Sequence, residues 1–591
     1  MKLHHHPFLS PLPIPLSFYR VDWTLIAPSP VFIEGGFSAI DIRQGEVGDC
    51  YLLAAAASLC ETPEVLDSIF VTAEANPEGV YCLRFWVDNA WTWIITDSRF
   101  LVLKDAHHTM NEFNSIWQGR PDIHAGTYAP FIGAHCGNPN EFWLAFLEKA
   151  WAKLNGTYSS ISAGTPTDAL LAFLPHAASQ TSFQFPNHNL IASDHDGLDR
   201  FAKISHWLER GWPVCLGSLP PPAEGEGGGQ HGGVDGLVGD GHGGVSQDSG
   251  AVKDGIIRGH AFTAVRTCRV PLAIEPRGYL DLIQLRNPWG TGEWLLRASD
   301  SDKKFWTPKM IEFVRYDPVQ GGDDGTFWMP FEELHGRFSS ASTVRKVKLI
   351  NDGGTWTKKT VLGSWTHEMT IKFMSDYATK GFEQYVLEPS ATGRFIIQLN
   401  QLPISGVHAE NHLANVDCAI FSVLRGPHST NTGPLLQGDD FKKYQDTDGA
   451  VILPAATRID QRIASAVEDE QESIALDGGN GKVYSLIPYY LGELYANSRG
   501  FNLTVISDTP FTLHKIVNGK ISNSGVISWS GSGAFQKKSV TVIEPLAKSL
   551  SAKVSPSQTT PAPPTAASHH NNEDNEPYPG ERGGGCCCSV A

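Results

Sequence analysis

Cys50 stands at the head of an apolar, alanine-rich run, CYLLAAAASL (50–59). Gln44 lies six residues before it, with Gly45 and Gly48 between. A thiol hydrolase needs a thiolate, a base that takes its proton, a group that orients the base, and N–H donors for the oxyanion. A cysteine in a first helical turn meets the helix dipole and free N–H groups, which depress a thiol pKa. Asp49 is placed to be the N-cap of that helix. An adjacent imidazole would do more, bringing the thiol from about 8.5 to roughly 3–4. Gln44 offers a side-chain amide as oxyanion donor, with the Cys50 backbone N–H as its partner. His260 in RGHAF would be the base. Asn287 in RNPWG can accept the imidazole N–H, and Trp289 can shield that bond from water. Taken singly, each residue reads as ordinary structure: a small core thiol, a satisfied histidine, a turn asparagine before proline. Their joint occurrence in the order Gln–Cys–His–Asn changes that reading.

The elements that must position these residues can be read coarsely. The chain has 591 residues, too many for one hydrophobic core. Residues 31–215 mix helix and strand. NEFWLAFLEKAWAKLNG (140–156) carries apolar positions at helical spacing, and GVYCLRFWVDNAWTWIITDSRFLVL (79–103) alternates as strands do. Residues 219–250 form a Gly-rich loop nearly free of apolar side chains. GIIRGHAFTAVRTCRV and GYLDLIQLRNPWG read as paired strands. Short alternating runs fill 351–545, among them TIKFM, QYVLEP, RFIIQLNQL, CAIFSVLRG, KVYSLIPYY, FNLTVIS and FTLHKIV, the pattern of an antiparallel β-sandwich. From about 546 onward Ser, Pro, Thr, Asn and Ala dominate, as in a disordered tail.

A formal charge of −17 argues against nucleic-acid binding and against bare electrostatic attraction to anionic lipid. Seven of the ten cysteines are scattered without paired metal spacing, which fits a reducing, intracellular compartment. The N-terminus is broken by prolines at 7, 12 and 15, so it makes a poor signal peptide.

Four blocks, QGEVGDCYLLAAAASL, NEFWLAFLEKAWAKLNGTY, GIIRGHAFTAV and LIQLRNPWGTGEW, together resemble the protease core of calpains, calcium-dependent cytosolic cysteine proteases, over about residues 32–345. The resemblance implies an α+β, two-lobed papain-like core followed by a calpain-type, C2-like antiparallel β-sandwich. The implied domains are an irregular N-terminal lead (1–30), lobe 1 with the nucleophile (31–210), lobe 2 with His260 and Asn287 (211–350), the β-sandwich (351–545) and the tail (546–591). Tyr51 stands where the family usually has Trp.

The resemblance also implies two calcium sites without EF-hands, with Ca2+ as the cofactor. In the first, Asp41 and Glu141 match carboxylate positions, and Glu34 and Gly36 match positions that give backbone carbonyls. In the second, Glu293, Asp300 and Asp324 match, with Gly322 at a carbonyl position. Thr326 stands where an acid is usual; one charge fewer weakens such a site. No loop fits the EF-hand pattern, so a small subunit docking through such a domain is not expected.

The chain ends GERGGGCCCSVA. Cys588-Ser-Val-Ala reads as a prenylation box, with Cys586 and Cys587 as palmitoylation candidates. One lipid chain anchors only marginally, and the flanking NNEDNEPYPGER is acidic, so acylation would be the second signal. The expected location is the cytoplasmic face of a membrane, with the inner leaflet and protein substrates as partners. The leading function is a calcium-dependent cysteine endopeptidase making limited cuts. The rival is a catalytically silent, membrane-tethered scaffold; a full set of Gln44, Cys50, His260 and Asn287 favours catalysis.

Overall fold

The computed structural model describes residues 18–27, 29–87, 90–103, 133–175, 178–185, 200–220, 254–318, 322–366, 383–401, 418–425, 451–453, 463–466, 473–479, 481–491, 498–517, 520–523 and 526–529.

Lobe 1 is built around helix α1 (Cys50–Leu59), which buries Tyr51 to Ala57 and Leu59. A helix apolar on every side belongs inside a core, and the alanine run lets neighbours approach it closely. Helices α2 (Pro63–Ile69), α3 (Trp143–Leu154) and α4 (Pro166–Phe173) complete the helical part. Helix α4 starts as its sequence demands: Thr165 caps the Asp168 N–H and Pro166 occupies the first turn. Three two-stranded antiparallel ribbons surround the helices. Strand β1 (Phe18–Asp22) pairs with β5 (Arg99–Leu103), β2 (Ile42–Arg43) with β6 (His135–Cys136), and β3 (Val80–Val87) with β4 (Ala90–Asp97). An aromatic cluster fills the lobe, with Trp23 edge-on to Tyr81, Phe142 and Phe146. The sequence placed residues 1–30 in an irregular lead. The structure corrects this for 18–27, which contribute a strand and the buried Trp23 and Ala27.

Lobe 2 is a six-stranded antiparallel sheet in the order β11-β10-β9-β8-β12-β7. Its strands are β7 (Ala178–Gln184), β8 (Val214–Ser218), β9 (Ala261–Pro271), β10 (Tyr279–Arg286), β11 (Thr326–Pro330) and β12 (Phe338–Arg345). Helix α5 (Arg200–Glu209) buries Phe201, Ile204 and Trp207 in the same core as Phe262, Ile283, Leu285 and Phe327. Helix α6 (Pro308–Val314) follows β10 in the chain. The expected lobe boundary at 210/211 is therefore displaced, because β7 and α5 already belong to the lobe 2 sheet and core. Of the Gly-rich segment 219–250, all but Leu219 and Pro220 lies outside the described residues.

The alternating runs after 351 form two antiparallel six-stranded sheets, as the sequence predicts. Phe395, Ile397 and Leu399 of one strand and Phe501, Leu503 and Val505 of its neighbour bury together with Tyr385, Leu387, Leu486 and Leu513 of the facing sheet. This is the every-second-residue burial of a sandwich. TIKFM and the tail, with Cys586, Cys587 and Cys588, lie outside the described residues.

Candidate functional site

The two lobes meet where α1 packs against β8 and β9, with Thr263 Oγ1 of β9 donating to the Ala54 carbonyl at 2.8 Å. His260 immediately precedes β9, and Asn287 immediately follows β10. Their side chains are joined: His260 Nε2 lies 2.8 Å from Asn287 Oδ1, and both residues are buried. The Asn287 amide is fixed in turn, since its Nδ2 donates to the Thr291 carbonyl at 2.8 Å and to the Gly292 carbonyl at 3.0 Å. The His260 backbone N–H donates to Ser218 Oγ at 2.8 Å. Trp289 covers the pair, its ring centroid 5.1 Å from that of His260. Burial pulls the imidazole down to about 4, against an opposing push from the Asn287 bond.

Cys50 is the first residue of α1, and the N–H of Ala261, next after His260, is a hydrogen-bond donor to its sulfur. The thiol is not depressed: burial pushes it up to about 12, and the Asp49 charge adds to that. Dipole and N–H donors at a helix start favour a thiolate, but desolvation opposes it and is the larger effect here. Thiol and imidazole are accordingly both neutral at pH 7. Asp49 holds the N-cap position through its backbone, accepting from Leu52 N at 2.9 Å, but its carboxyl makes no cap bond. That carboxyl is buried and shares a hydrogen bond with the buried Glu148 carboxyl; burial raises both, and the Asp49 charge raises Glu148 further. Gln44 Nε2 donates to the Val47 carbonyl at 2.7 Å, which leaves one N–H of the amide for another acceptor, while its Oε1 is buried without a partner among the described residues. Tyr51 accepts from Trp151 Nε1 at 3.0 Å and its ring lies flat against Gly164, where a Cβ would come within 2.5 Å.

Two arginines that the sequence reading missed tie the lobes together beside this site. Arg286, the last residue of β10, donates to the Asp324 carbonyl at 2.7 Å and Thr326 Oγ1 at 2.9 Å. Across the cleft it reaches the Ile40 and Ile42 carbonyls at 3.0 and 3.2 Å. Arg43, from lobe 1, donates to the Gly290 carbonyl at 2.9 Å and the Asp324 carbonyl at 3.2 Å. Gly290 sits at φ +70°, which favours glycine, and a Cβ there would also displace the Arg43 guanidinium. Most of these acceptors are backbone carbonyls, which leave no mark in a sequence.

The proposed calcium ligands lie at the ends of these arginine bridges. In the first group the Glu34 N–H donates to Glu141 Oε1 at 2.9 Å, and Glu34 Oε2 accepts from Asn138. Burial, then the charges of Asp41 and Glu34, push Glu141 up to about 7 against that bond. In the second group burial and the charges of Asp300, Asp323 and Asp324 push Glu293 up to about 8, and burial raises Asp300 to about 6. Asp300 Oδ2 accepts from the Tyr316 hydroxyl at 2.6 Å, while Asp300 Oδ1 is buried without a partner among the described residues. Asp323 is an acid of this group that the sequence reading did not name. Gly36 and Gly322 lie exposed in adjoining turns. Among the described residues no three His, Cys, Asp or Glu side chains stand close enough together to hold a metal ion. The chemistry nonetheless fits a divalent cation: buried carboxyls raise one another, and one oxygen is orphaned. Thr326, at the position expected to be acidic, spends its hydroxyl on Arg286.

Residues 19–345 match the calpain family of cysteine proteases. The chain belongs to that family. It is 27% identical to calpain-9 of Rattus norvegicus over 353 residues, 57% of this chain and 42% of that protein. It is 28% identical to the calpain-2 catalytic subunit of Homo sapiens over 363 residues, 58% and 43% of the two chains. With calpain-B of Drosophila melanogaster the identity is 26% over 359 residues, 58% and 32%. The chain thus aligns with less than half the length of these calpains. No helix among the described residues is long and apolar enough to cross a membrane.

Proposed function

We propose that this calpain-family chain is a cysteine endopeptidase that uses Cys50, His260 and Asn287, with calcium controlling the approach to the reactive state. The supporting observation is the His260–Asn287 bond at 2.8 Å beside the Cys50 sulfur. With Nε2–H donated to Asn287, Nδ1 carries the lone pair that takes the thiol proton. The sulfur then attacks the scissile carbonyl carbon and its electron pair moves to the oxygen. The Cys50 N–H and the free Gln44 amide N–H stabilise that oxyanion. The imidazolium returns its proton to the leaving amine, and water hydrolyses the thioester by the reverse sequence.

Glu34, Gly36, Asp41 and Glu141 would hold one calcium ion, and Glu293, Asp300, Gly322, Asp323 and Asp324 a second. When bound, the ions supply positive charge that lets the raised carboxyls ionise. Arg43 and Arg286 run from these two groups to the segments carrying Gln44 and Asn287, so order at the acids is order at the site. Labelling of Cys50 by a thiol-specific alkylating agent tests this reading: calcium should raise its rate by about 10-fold or more, and an equal rate with and without calcium contradicts it. Lipid attachment at Cys588, supported by Cys586 and Cys587, is the tether we propose. Cys588→Ser should release the protein from membranes in cells; unchanged membrane association removes the tether.

A further inference from the structure

Strands β8 and β9 pair in regular register from Val214 opposite Ala264 to Gly217 opposite Ala261, and the ladder ends there. Gly259, at φ +64°, turns the chain out of extended geometry just before His260. The His260 N–H goes to a side chain rather than to a ladder carbonyl: it donates to Ser218 Oγ at 2.8 Å. That hydroxyl donates in turn to the His260 carbonyl at 3.1 Å, and the Ser218 N–H reaches the same carbonyl at 2.9 Å. Ser218, the last residue of β8, is fully buried. The residues beside it extend the grip. The Gly259 N–H donates to the Leu219 carbonyl at 2.8 Å, and the Leu219 N–H to the Arg337 carbonyl at 2.9 Å. Arg337 Nε also donates to Asp254 Oδ2 at 2.8 Å, so one arginine holds the chain on both sides of residues 221–253, which lie outside the described residues.

We propose, resting on the catalytic roles given above, that Ser218 is a positioning residue for the base: it fixes the His260 backbone so that Nδ1 meets the Cys50 thiol. An imidazole held at one end only can pivot. Asn287 Oδ1 holds Nε2 at 2.8 Å, and the Ser218 hydroxyl holds the backbone from which the ring hangs. Two fixed points set where Nδ1 lies. The same backbone carries the Ala261 N–H that donates to the Cys50 sulfur, so a shift at His260 disturbs base and nucleophile together. A hydroxyl suits this place because it accepts from the His260 N–H and donates to the His260 carbonyl at once. Its removal leaves a buried N–H without an acceptor, which the backbone relieves by moving. A misplacement of about 1 Å can cost on the order of 100-fold in rate. A hydroxyl serving the fold alone would take stability with it and leave the rate untouched.

The test uses the full chain with saturating calcium, well below the melting temperature of every variant. Cleavage of a labelled unstructured protein gives kcat and KM, and iodoacetamide labelling of Cys50 reports the thiolate without a substrate. Ser218→Ala is compared with Thr343→Val, which removes another buried hydroxyl from the same sheet: Thr343 Oγ1 donates to the Pro213 carbonyl at 2.6 Å, at the opposite end of β8. Ser218→Ala should lower kcat by about 10-fold or more while KM changes by less than about 2-fold, and labelling should slow with kcat. Thr343→Val should lose stability and keep both rates. If Ser218→Ala does not fold, Ser218→Cys, close in size with a weaker acceptor, should show a smaller loss of the same kind. Wild-type kcat and labelling in a folded Ser218 variant, or the same loss in Thr343→Val, overturn the positioning role and leave the catalytic roles standing. A wild type whose cleavage does not depend on Cys50 removes those roles, and this one with them.

Discussion

The two sides of the cleft are finished to different degrees. On the lobe 2 side each polar atom shown around the base has a use. His260 bonds Asn287, Asn287 bonds Thr291 and Gly292, and Ser218 holds the His260 backbone. On the lobe 1 side Gln44 Oε1 is buried without a partner among the described residues, the buried Asp49 carboxyl faces only the buried Glu148 carboxyl, and the Cys50 thiol is pushed up to about 12. In the roles proposed, the base is preorganised and the nucleophile is not. Buried unsatisfied groups cost about 1–3 kcal/mol each, so the nucleophile side is where a change of state relieves strain. On the proposed function, that places control of activity in the loop from Asp41 to Asp49 rather than in the base.

Breaking the finished side should have the largest effect. His260→Ala should lower proteolysis by about 1000-fold or more, and Asn287→Ala by less, because the imidazole remains. If the two losses are equal in steady-state assays, Asn287 does more than orient the ring. Next in size is the bridge between the sides. Arg286 is 1% exposed and donates four hydrogen bonds, two of them to lobe 1. Arg286→Met should destabilise the fold by roughly 3 kcal/mol or more, read as a lower melting temperature. A shift near zero would mean the lobes are not held there.

The unfinished side should show itself in pH dependence. The folded-state pKa of Asp49 lies above its unfolded value, at about 7 against 3.8, because of burial. Folding therefore retains a proton. This contribution is fully present below about pH 4 and is lost as pH rises through 7. Asp49→Asn should remove that loss, gaining at most roughly 4 kcal/mol over the wild type at pH 8 and little at pH 4. Glu148 shares the effect. His260, pulled down to about 4, acts with the opposite sign: its contribution is present above pH 6.5 and lost on acidification toward 4. Melting curves from pH 4 to 8 should separate the two residues through their variants, and an Asp49→Asn curve parallel to wild type would show that the carboxyl does not titrate with folding. The smallest effect is expected at Tyr51→Phe, which loses only the bond from Trp151, about 1 kcal/mol.

Much of this was legible in the sequence because the chemistry sits in side chains at fixed local positions. Gln44, Cys50, His260, Asn287 and Trp289 were named from residue type and order, and the structure brings His260, Asn287 and Trp289 into contact beside Cys50. The sandwich was legible from its every-second-residue alternation. Three things were not. Strand β7 pairs with β12, more than a hundred residues later, and no local pattern announces such a partner. Trp23 looks like part of a proline-broken lead until its aromatic neighbours are known. Arg43 and Arg286 act mainly through backbone carbonyls, and Asp49 reads as a cap until Glu148 is placed opposite it. The thiol is the clearest case of one physical effect outweighing another: a helix start lowers its pKa, and burial outweighs the helix.

The most direct measurement is calcium-dependent cleavage of an unstructured protein by the full chain, run beside Cys50→Ala. The account predicts fragments that appear with calcium, disappear when it is chelated, and are absent for Cys50→Ala at every calcium concentration. Cleavage by wild type that ignores calcium, or that survives loss of the Cys50 thiol, would contradict it.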